Sequence, residues 1–207
     1  MGLGITVMVV DWRRLEAIPA DERVDRLYEE SYAADDVDAG WFWPGERAGT
    51  EGATGTVPSG DGAPWWGVYE FRRTLGSYKP HFWAGEAWDD ARDHAEPHLR
   101  DALDGFLIGL GIRWDPAADD DDDVPLGEWQ SELMLHCPPA ETSALAALWS
   151  RAEPHLDGLR DDFDTHAARG PRSWIPDHAA FAALLRGWGE VVGEADRRGW
   201  GVIGLRC

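Results

Sequence analysis

Cysteine and lysine are nearly missing from this chain, and long apolar runs are missing altogether. Cys137 and Cys207 are the only cysteines in 207 residues, too few for a disulfide framework. The core must therefore hold the fold, and both thiols are expected to be reduced, as in a cytoplasm. No stretch approaches the roughly 18 uninterrupted apolar residues of a membrane helix. The apolar start, "MGLGITVMVV", has no basic residue before it and no small-residue cleavage site after it, so it reads as part of the fold and not as an export signal. Of the 19 basic residues only Lys79 is lysine. With abundant Ala and Gly, this points to a bacterial genome rich in G and C, where arginine is the default cation.

Positive charge is scarce as well. The 19 Lys and Arg face 39 Asp and Glu, a net charge of -20, which argues against nucleic acid and against anionic membrane surfaces as partners. A basic protein is the partner this balance favours, and a small ligand is the other partner expected, at the aromatic residues described below. Standard catalytic signatures are also lacking: the chain has no C-x-x-C, H-E-x-x-H, G-x-S-x-G, P-loop or strand-to-helix G-x-G-x-x-G. No cofactor is strongly implied, and a divalent metal is the one that the histidines leave open.

What is present predicts an α+β fold. Residues 5–10 form a continuous β-branched run of the kind found in a strand buried on both faces. Residues 65–71 alternate, with Val68 and Glu70 on one side and Tyr69 and Phe71 on the other. Further strands are expected at 132–137 and 200–205. Between them the clearest helix carries Phe181, Leu184, Leu185, Trp188, Val191, Val192 and Ala195 on one face. Asp177 is placed to cap its start and Gly199 to end it. The expected architecture is a single domain, 1–207, with a small, mainly antiparallel sheet of about four strands. The first and last strands pair near its centre and helices cover it. Seven Gly and three Pro between residues 33 and 66 mark an irregular excursion, with 45–62 its most protease-sensitive part. The aspartates at 119–123 lack the alternating ligands of a calcium loop and read as a solvated segment.

The pentapeptide "AEPHL" occurs twice, at 95–99 and 152–156. At the same offset, Trp88, Ala91, Ala95, His98, Leu99, Ala102 and Phe106 correspond to Leu145, Leu148, Ala152, His155, Leu156, Leu159 and Phe163. This apolar stripe stays in phase through each proline, which predicts two related long helices kinked at Pro97 and Pro154 and packed together, with both histidines turned toward the core. Asp90, His94 and His98 would then form a ladder on the first helix.

These features lead to two functional expectations. The first is a non-catalytic binding protein, for instance an inhibitor or immunity partner of a basic protein, that uses an acidic exterior and an aromatic surface. Trp41, Trp43, Trp65 and Trp66 bracket the Gly-rich excursion, and Trp83 is a further candidate for that surface. The alternative is a metal-dependent hydrolase in which His98 and His155, with His94, Asp90 or Asp101, hold an ion around an activated water.

Overall fold

The structure is a computed structural model that describes residues 3–32, 39–45, 64–72, 74, 76–113, 129–167, 170 and 173–207. Most of the Gly-rich excursion and the aspartate run lie outside these residues, as does the protease-sensitive stretch apart from Gly45. Five strands, β1 (Ile5–Val10), β2 (Gly40–Phe42), β3 (Trp66–Glu70), β4 (Leu135–Cys137) and β5 (Gly201–Arg206), form an antiparallel sheet in the order β2-β3-β1-β5-β4. As the sequence predicts, β1 is central and pairs with β5 along its whole length, from Ile5 opposite Arg206 to Val10 opposite Gly201. The strand beyond the expected four is β2. Its three residues are too few to reveal a period of two, and it forms an edge through Trp41 opposite Tyr69.

Both faces of the sheet are covered, which is why β1 shows no polar alternation. On one side Met8, Val10, Val68, Ile203 and Leu205 pack with Leu15 of α1 (Trp12–Glu16) and with Val24 and Leu27 of α2 (Arg23–Ser31). On the other side Ile5, Val7, Val9, Tyr69, Phe71 and Val202 meet the larger helical layer. That layer consists of α3 (Lys79–Ala91), α4 (Pro97–Gly109), α5 (Pro139–Ala152), α6 (Arg160–His166) and α7 (His178–Arg198). Helix α7 forms with the ends its sequence predicts. The Asp177 side chain accepts a hydrogen bond from the Ala180 amide, and Gly199 takes the left-handed conformation at φ 67°.

The two pentapeptides adopt different backbones. In the first, a short 3₁₀ turn at Arg92–His94 ends in extended Ala95 and Glu96, and Pro97 starts a new helix. The chain is therefore broken here, not kinked. Proline disfavours helical geometry in the residue before it, and its own missing N–H costs nothing in a first helical turn. In the second copy Glu153 stays helical, and the chain tightens into a 3₁₀ segment, Glu153–Leu159, that leads into α6. The break in the first copy is fastened by Asp104 of α4, which accepts hydrogen bonds from Trp88 Nε1 (2.8 Å) and from the Arg92 guanidinium, with Arg113 alongside. Burial pushes the Asp104 carboxyl up, but these donors and the arginine charges outweigh it and hold the group below the ordinary carboxylate range. Helix α4 packs on α5, and α3 packs on α6.

Close approach of α3 to the turn after α4 makes a sharp test of the packing. A Cβ at Gly85 would lie 2.3 Å from the Ile112 carbonyl oxygen, whereas one at Gly193 of α7 would meet nothing within 4 Å. Glycine to alanine in a helix ordinarily stabilises by up to about 1 kcal/mol. Gly193→Ala should do so in urea denaturation, while Gly85→Ala should destabilise by about 1–3 kcal/mol through overpacking.

Candidate functional site

Helix α7 presents two stripes. Phe181, Leu184, Leu185 and Trp188 are buried in the core, while Ala179, Ala183 and Gly187 form a stripe of small residues beside them. Where that second stripe passes the end of β3 and the segment 174–176, it leaves a cleft of about 650 Å³, within the size range of small-molecule sites. Phe71, Ile175 and Leu184 give it an apolar floor, and Arg72, Arg186 and Glu190 bring charge to it. Across the cleft Tyr69 donates its hydroxyl proton to Glu190 Oε2 at 2.7 Å. Burial first, and then this carboxylate, hold the phenol well above the ordinary tyrosine range, so it remains a neutral donor. Sequence reading missed this cleft, although its signal was available: the alanines and glycine lie at helical spacing next to the core stripe.

The tryptophans of the expected aromatic surface are divided between the faces of the sheet. Trp41 and Trp43 stack at 5.0 Å, and Trp41 meets the Tyr69 ring edge-on at the same distance. The Arg198 guanidinium lies 3.9 Å from the Trp43 ring. Half-buried Trp65 packs toward the opposite core and lines a separate cavity of about 680 Å³ with Arg14, Ile18, Glu22 and Arg26. Trp66 is buried and presents no surface. Trp83 is half-buried against the helical core and lies against Gly170. The five residues therefore do not form one patch: Trp41, Trp43 and Trp83 pack on the larger core, and Trp65 and Trp66 on the core across the sheet.

The repeat histidines come together, but at the surface. His98 and His155 have ring centroids 4.3 Å apart and meet edge to face. Both are exposed, contrary to the inward orientation that the stripe predicts. The rest of the stripe is buried except for half-buried Leu148, so the histidines occupy its margin and the alanine and leucine beside each take the core. The Asp90–His94–His98 ladder does not form on one helix, because the chain breaks between His94 and His98. His94 stacks instead on His166, at 3.8 Å between centroids. Asp90 and Asp101 are exposed. Cys137 is buried, its thiol pushed up to about 11 by burial, which makes it an inert core residue.

Beneath the cleft floor lies His81, fully buried. Trp188 Nε1 donates to His81 Nδ1 at 3.0 Å, and the Phe71 ring packs edge-on at 4.9 Å. Acceptance at Nδ1 places the proton of the neutral ring on Nε2. Compared with known proteins, the chain matches no family model, no curated sequence and no solved structure at a significant level. Among the described residues, no helix is long and apolar enough to cross a membrane.

Two outcomes are expected here. Burial lowers the His81 pKa to about 4, from 6.5 in an unconstrained chain. Between these values the unfolded state binds the extra proton, so the contribution is complete above pH 6.5 and falls by roughly 3 kcal/mol by pH 4. Urea midpoints measured across that range should drop less steeply for His81→Gln than for the parent chain. By contrast, His98→Ala and His155→Ala, both at exposed positions, should each change stability by no more than about 0.5 kcal/mol in the same assay.

Proposed function

We propose that this is a non-catalytic binding protein that takes a small ligand with an apolar body and one anionic group into the cleft between β3 and α7. The observation that carries this reading is the composition of the cleft: an apolar floor with Arg72 and Arg186 in its lining, Arg186 also pairing with Asp157 at 3.2 Å, in a protein that is otherwise strongly acidic. Arginine beside an apolar wall suits a carboxylate on a hydrophobic frame. The Tyr69–Glu190 pair supports binding over catalysis. A phenol held far above neutral pH is neither a nucleophile nor a ready proton donor, but it is a fixed hydrogen-bonding group. Trp41 backs Tyr69 from the edge strand and keeps its ring in place. This differs from a single aromatic surface, because Trp41 supports the cleft from outside it, Trp174 lines it, and Trp65 and Trp66 lie on the other side of the sheet. A basic protein remains the macromolecular partner that the net charge of -20 favours.

A hydrolase built on His98 and His155 has less support, since two facing imidazoles do not complete a catalytic ion site and neither residue lines the cleft. The reading is tested by ligand-observed NMR with a panel of small aromatic carboxylates and their uncharged amides. Acids should bind in preference to amides. Arg186→Ala should remove that preference, and Ala183→Trp, at an exposed helix position on the cleft wall, should weaken all binding by at least about tenfold by filling the space. Binding unchanged in Ala183→Trp would rule out the cleft as the site.

A further inference from the structure

We propose that His94, Asp162 and His166 form a second, separate site for a divalent first-row transition ion, with Zn²⁺ the ion that fits best. The three side chains come from two packed elements. Asp162 and His166 lie four residues apart on α6 and so project from adjacent turns of one face. His94 belongs to the 3₁₀ turn that ends α3, and packing of α3 on α6 brings it across. One ligand atom from each group lies within 4.8 Å of the other two, the only such trio among the described residues.

Around a tetrahedral ion with bonds of about 2.0–2.1 Å, ligand atoms stand about 3.3 Å apart. The trio must therefore close by somewhat more than 1 Å. All three side chains are exposed, so rotation about their own bonds achieves this without disturbing the core. Two imidazole nitrogens and one carboxylate oxygen make a borderline donor set, suited to Zn²⁺, Co²⁺ or Ni²⁺ and poorly suited to Mg²⁺ or Ca²⁺, which prefer oxygen alone. The net charge of -20 raises the local concentration of any cation. Three protein ligands leave at least one coordination position for water or another small donor.

The break at Ala95 and Glu96 is what permits this arrangement. In a continuous helix His94 and His98 would rise from one face; the extended residues between them send His94 to His166 and His98 to His155. Among the described residues only the first of these pairs has a carboxylate oxygen within 4.8 Å of a nitrogen of each ring, so the proposed ion belongs there and not at the pair within the repeat.

The experiment is isothermal titration of the full chain, stripped with chelator and dialysed, with Zn²⁺ alone. One equivalent should bind, and binding should weaken as the pH falls from 7.5 to 5.5, because the imidazoles must be neutral to ligate. His94→Gln and His166→Gln should each reduce affinity at least as much as the roughly 10–100-fold that loss of a mere supporting partner costs at a metal site. Asp162→Asn should reduce it as well, and His98→Gln should not. Melting curves without metal verify that each variant is folded. Absence of stoichiometric Zn²⁺ binding overturns the proposal. So does binding that survives both His94→Gln and His166→Gln, or that is lost with His98→Gln instead.

Discussion

Strand β1 has no polar face, and most of the fold follows from that constraint. Its residues alternate between two cores, Ile5, Val7 and Val9 toward one and Met8 and Val10 toward the other. Both sides must therefore be shielded from water. Pairing with β5 over six residues places another doubly buried strand beside it. Two short helices suffice for the first side. The second needs five, and their packing on one another and on the sheet brings the histidine pairs together and leaves the cleft beside β3.

Within that larger layer, position is set by a few polar contacts and by residues that are small. Asp104 ties Trp88 of α3 and Arg92 of the 3₁₀ turn after it to α4 across a break in the chain, so the chain changes direction there while the two elements stay fastened. Small residues act in two ways along α7. At Gly187 a Cβ would press to 3.0 Å on the Phe71 ring, so absence of a side chain allows the helix to approach the sheet. At Ala179 and Ala183 the same economy of volume leaves the cleft open. Binding capacity here is a consequence of incomplete packing beside a complete core.

The histidines show how local context divides identical sequence. His98 and His155 sit in the same pentapeptide, yet one follows an extended break and the other lies within a 3₁₀ turn. His81 shares their chemistry and none of their circumstances. Burial next to Trp188 makes it a neutral structural group, whereas His94 and His166 are exposed and stack on each other.

Much of the architecture was legible in the sequence because burial imposes periodicity. The unbroken run at 5–10, the alternation at Val68–Tyr69 and the seven-residue stripe of α7 each report which faces meet the core, and the caps at Asp177 and Gly199 are short-range chemistry. The stripe of the repeat was legible too, and with it the meeting of His98 and His155. What tertiary structure alone decided was the orientation of side chains at the margin of a stripe, the break before Pro97, the pairing of β2, and the approach of His94 to Asp162 and His166 from a helix distant in sequence. These depend on how elements pack across long separations, where a few ångströms of approach or a small rotation outweighs local preference. Periodicity therefore determined which surfaces are buried, and only their packing determined which exposed groups stand together.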